Sequence, residues 1–491
     1  MSLKLIKKGN LLTNMRVAKD TDFIKSSTLL KKLLTLAAPI ILAQLFQIAY
    51  QFTDAFWVGR LGEKAVAAVT MSAPVIFVMI GLGIGLAIAG STLTAQYFGA
   101  KNKKMLSQAA AQTMLMVVTV SIFFSTLGYI FTPHILQLLG TDPSIFADAK
   151  AYLRIVFLGL VFNFSFFIFQ SIMRSIGRAQ LPVYIVVGTV MLNFILDPLF
   201  MFGWWFIPAQ GITGVALATI GTQSIAAIIG LSWLFSGKHG IHLHWTDFRP
   251  NFSFIKRAFL LGLPSSIEQS ARSLSLTVIT ALIATFGTLA VAAYGVGTNI
   301  LQLILMITFG LAGANAALVG RHLGAGEPET ARRMASISLK IAFFAFSTLG
   351  LISFIFAPYL IQFFVPNDPN VIAAGAHYLR FISPIFGLIG LQILMGSTLQ
   401  ASGNTKTSMA LTLTSAWLIQ IPLIYTLSRF TNLGLDGLWL AFTINGILSV
   451  AMYLIVFKRS HWYKKELVSV EERLTNQIKA EVKAENNSPR T

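Results

Sequence analysis

Long apolar stretches that contain almost no charged residue recur along the whole 491-residue chain. Each is long enough to cross a bilayer, for which an α-helix needs about 20 residues. They are too long and continuous for barrel strands, and only helices or closed barrels satisfy their backbone hydrogen bonds in lipid. We predict twelve transmembrane helices, near 34–59, 68–98, 106–132, 152–174, 182–203, 211–235, 257–286, 290–319, 337–364, 376–398, 407–430 and 434–457. The predicted fold class is an all-α membrane protein.

The positive charge of the chain is explained by membrane topology. Charged residues make up only 11% of the chain, too few for an ordinary soluble enzyme, yet the net charge is +19. With the N-terminus inside the cell, segments on that side hold 30 Lys and Arg, and the opposite segments hold 6. This pattern predicts a multi-pass protein of the plasma (inner) membrane with both termini cytoplasmic. We expect no nucleic acid partner, because no basic face or base-stacking module is present.

The two halves of the chain repeat each other at a nearly constant offset of 225 residues. Matching positions are Pro39 and Pro264, Gly62 and Gly287, and the Ala-Val-Ala-Ala runs at 65–68 and 290–293. Six crossings are an even number, so both halves enter the membrane from the same side. The predicted pseudo-two-fold axis therefore runs along the membrane normal. Two six-helix bundles of this kind enclose a central cleft, which is an architecture of alternating access.

The repeat and the charge pattern divide the chain into five parts. We predict a cytoplasmic basic arm at 1–33, an N-terminal six-helix bundle at 34–235 and a cytoplasmic linker at 236–256. The C-terminal six-helix bundle follows at 257–457, and a cytoplasmic tail at 458–491.

Motifs for nucleotide hydrolysis and for catalysis are missing. Gly237-Lys238 is followed by His239 and lacks the upstream glycine of a phosphate-binding loop. Gly81-x-Gly83-x-Gly85 lies inside a transmembrane run, where small residues favour helix packing. The chain has no cysteine and no H-E-x-x-H zinc motif. We expect a protein that is not an enzyme and needs no cofactor beyond a coupling ion.

Two acidic residues lie inside predicted spans, where a charge costs about 2.5–3.5 kcal/mol and therefore marks a candidate functional site. Asp54 shares a helical face with Gln47 and Tyr50 in the first span. Asp197 shares a face with Asn193 in the fifth span. Their oxygen atoms are suitable ligands for Na⁺. The same group could instead hold a proton, because burial and a like charge both disfavour an ionised carboxyl.

Other features of these spans bear on the same site. Pro198 has no backbone N–H, so the carbonyl of Phe194 loses its helical donor and is free to accept from water or bind a cation. The second-half counterparts of the two acids are the apolar Ile279 and Leu423, which places the expected ion site in the N-terminal bundle. A structural alternative is that the acids cap local hydrogen bonds near the outer interface.

The second half contains an acid of its own. Glu268 and Arg272 are four residues apart in the seventh span and lie on one helical face. They form either an internal ion pair or a second polar site that faces the cleft, and both interpretations stay open.

Several motifs occur in the order of a known family. They are Pro39-Ile-Ile-Leu-Ala-Gln, Asp54-Ala-Phe-Trp-Val-Gly59-Arg-Leu-Gly62, Ala67-Ala68-Val69, Leu192-Asn193-x-x-x-Asp197-Pro198 and Gly211-x-x-Gly214-Val-Ala-x-Ala218-Thr219. Together they resemble the multidrug and toxic compound extrusion (MATE) transporters over about 28–457. The resemblance implies a V-shaped cleft and export of organic, often cationic and amphipathic, compounds in exchange for H⁺ or Na⁺.

The resemblance also implies roles for individual residues. The coupling-cation site, for H⁺ or Na⁺, would comprise Asp54, Asn193, Asp197 and Thr219. The substrate cavity would include Gln47, Tyr50 and Gln170. Another branch of the family carries acids in the seventh and tenth helices, where this chain has Arg272 and Gln392, with Glu268 one turn away. The chain therefore looks like the DinF-like branch, and these three residues form a candidate second-half polar site.

Two functions are compatible with these sequence features. The leading hypothesis is a secondary active transporter that works as a monomer in the lipid bilayer, exporting small organic compounds by alternating access. The alternative is a flippase for lipid-linked oligosaccharides or lipids of the same superfamily. Such flippases commonly have fourteen helices and a more cationic cavity, and Arg272 is the one feature that supports this alternative.

Overall fold

The computed structural model describes residues 2–204, 208–464 and 467, with side chains described from Ser27 onward. The helices are α1 (Ser2–Arg60), α2 (Glu63–Gly99), α3 (Lys103–Leu138), α4 (Pro143–Ser175), α5 (Gln180–Phe202), α6 (Ile212–Ser236), α7 (Phe252–Ala284), α8 (Thr288–Gly324), α9 (Pro328–Ile355), α10 (Ala357–Phe364), α11 (Pro369–Ile382), α12 (Phe386–Ala401), α13 (Thr405–Leu413), α14 (Ile421–Arg429) and α15 (Leu435–Arg459). A 3₁₀ turn, Ser383–Ile385, joins α11 to α12, and a π-helical turn, Thr414–Gln420, joins α13 to α14. Most of the predicted cytoplasmic tail, 458–491, lies outside the described residues.

Eleven helical segments of the described chain are long and apolar enough to cross a membrane. They are α1 from Ser27, α2 to α6, α8, α9, α11 with α12, α13 with α14, and α15. The remaining crossing, seventh in chain order, is the 33-residue α7, whose four charged residues lower its mean hydropathy. The twelve crossings follow the order of the twelve predicted spans.

Several helix ends differ from the predicted ones. α1 begins at Ser2 instead of near 34, since the stretch that precedes the first span is rich in Leu and Lys and contains no proline. α4 begins at Pro143 instead of near 152, because Asp142 caps it and proline suits the first turn. The ninth span ends at Ile355 instead of 364. Pro358 lacks a backbone N–H, and a separate helix, α10, begins one residue before it, at Ala357.

The twelve crossings form two lobes, the N-lobe (α1–α6) and the C-lobe (α7–α15), each with an apolar core. In the N-lobe the fourth crossing, α4, contacts α2, α3 and α6. In the C-lobe the corresponding crossing, α11 with α12, contacts α8, α9 and α15. The same crossing is central in both lobes, as a pseudo-two-fold repeat requires.

The first crossing of each lobe packs, at its start, against the other lobe. Leu33 near the start of the first crossing lies in the core of the C-lobe. Phe254 and Ala258, at the start of α7, lie in the core of the N-lobe. Further along each helix, Val58 and Ile279 pack in their own lobes. At one end of the molecule, therefore, the start of the first crossing packs in the C-lobe and the start of α7 packs in the N-lobe.

Glycines let α2 and α7 approach each other closely between the lobes. A Cβ atom on Gly85 would lie 2.1 Å from the backbone nitrogen of Ser266, and one on Gly81 would lie 2.9 Å from that of Ser270. The hydroxyl of Ser266 donates to the carbonyl of Leu82 across this contact at 2.9 Å. Small residues of this kind allow helix backbones to meet inside a membrane.

Polar contacts join the lobes at the end of the molecule where the first crossing and α7 begin. Arg321 of α8 donates from Nε to the carbonyl of Ser175 at 2.6 Å and from Nη2 to that of Arg174 at 3.2 Å. Gln96 of α2 donates to the carbonyl of Ala401 at 3.0 Å. These carbonyls belong to helix C-termini, where helical donors run out and a cation is favoured. We name this end the closed end.

In the described part of the chain, the opposite end of the molecule shows no such contacts. The hydroxyl of Ser270 donates to the carbonyl of Val78 at 3.1 Å, near the middle of α7 and α2. Among the described residues, no hydrogen bond joins the lobes on the far side of this contact. Because the described polar contacts between the lobes lie at the closed end and near the middle, we infer a cleft that opens at the opposite end.

We expect Gly85→Ala to lower the melting temperature of the purified protein in detergent. The new methyl group would meet backbone atoms of α7 that cannot rotate away, and overpacking of this kind costs about 1–3 kcal/mol. The matched control is Gly188→Ala in α5, where a Cβ atom meets nothing within 4 Å. An equal loss of stability in both variants would contradict this account of the lobe contact.

Candidate cation site

Three helices of the N-lobe bring the predicted cation-site residues together. α1 packs against α5 and α6, and α5 packs against α6. The hydroxyl of Thr219 in α6 donates to Oδ2 of Asp54 in α1 at 3.5 Å. Within α5, Nδ2 of Asn193 donates to Oδ1 of Asp197 at 3.0 Å, as their spacing of four residues allows. The carboxyl groups of Asp54 and Asp197 are neighbours at this site.

Several oxygen atoms at this site are buried without a partner. Oδ1 of Asp54, Oδ1 of Asn193 and Oδ2 of Asp197 accept no hydrogen bond from any described residue. Asn193 and Asp197 are fully buried. Buried acceptors without donors are unfavourable, and two ionised carboxyl groups side by side are more so. The arrangement suits either a proton shared between the carboxyl groups or a small hard cation bound by the free oxygens.

A hydroxyl chain connects this site to Tyr50, one turn before Asp54 in α1. Thr222 donates its only hydroxyl proton to the carbonyl of Thr219 at 2.9 Å. Tyr50 must then be the donor in its 2.7 Å contact with the Thr222 oxygen. Tyr50 is thus held beside the acids by a directed hydrogen bond. Pro198 lies inside α5, one residue after Asp197, as predicted.

The other predicted cavity residues are not connected to the acids. Gln47 is exposed and Gln170 is half-buried, and neither makes a side-chain hydrogen bond to a described residue. Asn163 of α4 was not predicted, although its Oδ1 is also buried without a partner among the described residues. The sequence signal that could have identified Asn163 is a polar residue within an otherwise apolar helix.

The second-half polar residues belong to a different network in the C-lobe. Glu268 is buried, with Oε1 accepting from the hydroxyl of Thr412 at 3.0 Å and Oε2 from Nε2 of Gln400 at 3.1 Å. Nη2 of Arg272 lies 4.0 Å from Oε1, at the limit of an ion pair. Gln392 makes no contact with this group among the described hydrogen bonds. Thr412 and Gln400 were not predicted, because they lie on distant helices and carry no motif.

A metal cluster of the usual kind is not present in the described part of the chain. No group of three or more His, Cys, Asp or Glu residues there could hold a metal ion. An ion at the N-lobe site would therefore depend on two carboxyl groups and on amide and hydroxyl oxygens. Such a ligand set is suited to a monovalent hard cation.

The match to a known protein family falls into two parts, one in each lobe. The family model MatE matches residues 39–199 and residues 264–426, one match in each lobe. The chain belongs to the MatE family. It is therefore a membrane transporter and not an enzyme, and the MATE resemblance is confirmed. Assignment to the DinF-like branch stays a prediction.

Relatives of this MatE protein are similar over nearly their whole length. It is 26% identical to the probable multidrug resistance protein YoeA of Bacillus subtilis, over 86% of this chain and 92% of the relative. It is 25% identical to the probable multidrug resistance protein NorM of Thermotoga maritima, over 90% and 95%. The crystal structure of the Vibrio cholerae MATE transporter VcmN in the bent form matches with a TM-score of 0.81 at 23% identity, over 89% and 98%. The predicted fold, with twelve helices in two bundles, is confirmed.

We expect Glu268→Gln to lower the melting temperature of this MatE protein. A carboxylate accepts from both Thr412 and Gln400, whereas an amide places an N–H group against one of these donors. The expected cost is about 1–3 kcal/mol, the usual penalty for a buried polar group left unpaired.

A double-mutant cycle tests the cause of this loss. Thr412→Val removes the donor that faces Oε1, so Glu268→Gln should cost less in that background. Equal costs of Glu268→Gln with and without Thr412→Val would contradict the described network.

Proposed function

We propose that this transporter exports small organic compounds, often cationic and amphipathic, in exchange for H⁺ or Na⁺. The observation that carries the proposal is the set of buried, partnerless oxygens on Asp54, Asn193 and Asp197. Intramembrane carboxyl groups are costly to insert and are a usual part of ion pathways. The coupling ion would bind in the N-lobe at these residues and Thr219.

We propose a cytoplasmic location for the closed end. The starts of α3, α7, α9 and α13 lie at this end, and the segments around them hold most of the basic residues. In a plasma (inner) membrane the positive-inside rule then orients the open end outward. The structure would accordingly represent an outward-facing state of a transporter that works as a monomer, with both termini in the cytoplasm.

Coupling would act through α1. The membrane-spanning part of this helix packs in the C-lobe core at Leu33 and carries Asp54 nearer its end, in the N-lobe. Binding of a proton or Na⁺ removes charge repulsion between Asp54 and Asp197 and changes which position of α1 is favoured. Substrate binding in the cleft would favour the other position. Such a difference in affinity between two states is all that exchange requires.

A liposome assay tests the proposal and separates the two ions. Protein is reconstituted with a fluorescent cationic dye, and a proton gradient and a sodium gradient are imposed separately. We expect dye transport under one gradient and its loss in Asp54→Asn, because the amide neither exchanges a proton nor carries a charge for Na⁺. Transport that survives in Asp54→Asn would overturn the N-lobe site.

The matched control is Asp142→Asn. Asp142 is exposed, caps α4 through the backbone amide of Ser144 at 2.8 Å, and lies outside the spans. Hydrogen bonds from Ser144 hold the pKa of Asp142 below its usual range. Asparagine caps helices equally well, so this variant should transport normally. Absence of dye transport under both gradients in the parent would favour the flippase alternative, tested next with a labelled lipid.

The closed end should open when its central arginine is removed. We expect Arg321→Ala to shift the protein toward the opposite cleft orientation, because the C-terminus of α4 loses its charged donor. The chain has no cysteine, so spin labels attach only at introduced positions. Distances between labels at Lys103 and Glu329 should lengthen, and those between labels at Glu63 and Leu289 should shorten.

The control for this measurement is Arg178→Ala. Arg178 lies at the same end and has an exposed side chain without a side-chain hydrogen bond to a described residue. It should leave both distance distributions as they are in the parent. Unchanged distances in Arg321→Ala would mean that the arginine does not hold the closed end.

A further inference from the structure

Arg272 lies at the inner end of the inferred cleft. The hydroxyl of Ser270 in α7 makes the last described hydrogen bond between the lobes on the way to the open end, to the carbonyl of Val78. Arg272 follows two residues later, so it lies just beyond this contact, on the side where the lobes separate. It is in the interior of the 33-residue α7, far from both membrane surfaces. The ion exchange proposed above makes no use of this guanidinium group.

The side chain of Arg272 is not enclosed by the C-lobe. It is 33% exposed, whereas the side chain of Glu268, one turn earlier, is 3% exposed. Charged side chains within a span avoid lipid and face either the protein interior or a water-filled cavity. The exposed part of Arg272 therefore faces the cleft.

The guanidinium group of Arg272 has donors that no described residue uses. Its Nη2 lies 4.0 Å from Oε1 of Glu268, too far for a hydrogen bond, and it makes no hydrogen bond to a described residue. Glu268 does not depend on this arginine, since Thr412 and Gln400 already donate to its two oxygens. A guanidinium group has five N–H donors in a planar arrangement that matches the two oxygens of a carboxylate. Arg272 can therefore bind an acidic group that enters the cleft.

An aromatic side chain is fixed beside this part of α7. The indole N–H of Trp417 donates to the carbonyl of Ala271, the residue before Arg272, at 3.1 Å. Trp417 is half-buried and belongs to the π-helical turn Thr414–Gln420. Turns of this kind are rare and are frequent at functional sites. An aromatic ring and a cation are thus held next to each other on the C-lobe, which suits a ligand that is both aromatic and acidic.

We propose that Arg272 binds the carboxylate group of exported compounds, so that the transporter accepts aromatic acids and zwitterions as well as cations. The inference rests on the proposed export function and names a substrate class for it. The guanidinium group would donate to both carboxylate oxygens, and Trp417 would contact the aromatic part of the compound. Compounds without a carboxylate would bind without this contact. Arg272 would therefore determine specificity and take no part in ion coupling.

The test compares two dyes that differ in one group. Rhodamine B has a free carboxylate, and its ethyl ester keeps the aromatic cation but loses the acidic group. Binding to the full-length protein in detergent is measured by fluorescence polarisation, and transport is measured in the liposome assay. The variants are Arg272→Gln, which removes the charge, and Arg272→Lys, which keeps the charge without the planar set of donors. The matched control is Arg429→Gln, because Arg429 is an exposed arginine at the end of α14 in the same lobe.

We expect Arg272→Gln to weaken the binding of rhodamine B by about tenfold, as the loss of one hydrogen-bonded charge pair implies. The ester should bind the parent and every variant with similar affinity, which shows that the variants are folded. Arg272→Lys should recover part of the lost affinity for rhodamine B. Arg429→Gln should bind both dyes as the parent does.

Several outcomes would overturn the inference. An equal change for both dyes in Arg272→Gln would mean that the arginine acts on the structure of the cleft, and no change for either would mean that it does not contact the carboxylate. The same selective loss in Arg429→Gln would mean that surface charge alone attracts the acid. Transport of the ester by a parent protein that does not bind rhodamine B would overturn the role of Arg272 and leave the export function standing. Failure of the parent to transport either dye would overturn the export function, and this inference with it.

Discussion

The two lobes are held together by a close helix contact that depends on glycine residues, which have no side chain. α2 and α7 meet at Gly81 and Gly85, where even a methyl group would touch the backbone of the other lobe. The start of the first crossing, at Leu33, packs in the C-lobe core, and the start of α7 packs in the N-lobe core. Dispersion and small residues, rather than hydrophobic burial, favour helix contacts in lipid. Such a contact can hold one end of the molecule while the other end opens.

The N-lobe site shows what a repeat preserves and what it discards. Packing positions recur in both halves, whereas the counterpart of Asp54 is Ile279, which is buried in the C-lobe core. Burying an apolar residue at that position costs no free energy. Burying a carboxyl group there does cost free energy unless an ion or a proton binds to it. The N-lobe therefore contains buried carboxyl oxygens that have no donor among the described residues, and the corresponding place in the C-lobe holds an apolar side chain.

Much of the fold could be predicted from the sequence, because every helix that crosses a bilayer needs a long apolar stretch of residues. The twelve crossings and their repeat followed from length and offset, although α7 has four charged residues and α1 extends far beyond its apolar part. The N-lobe residues were predictable because helical spacing placed Asp197 with Asn193 on one face. The partners of Glu268 were not, since Thr412 and Gln400 approach it from other helices and hydroxyls or amides leave no periodic signal.

Gln400 connects the C-lobe network with the contact between the lobes. Its side chain donates to Glu268 at 3.1 Å, while its backbone carbonyl accepts from the hydroxyl of Thr92 in α2 at 3.1 Å. A change in the charge or partners of Glu268 would therefore act on the closed end through one residue. No described hydrogen bond links the N-lobe acids to this contact, so they would act through the part of α1 between Leu33 and Asp54. The two lobes thus offer different mechanical routes to the same contact, a rigid helix in one and a hydrogen-bond network in the other.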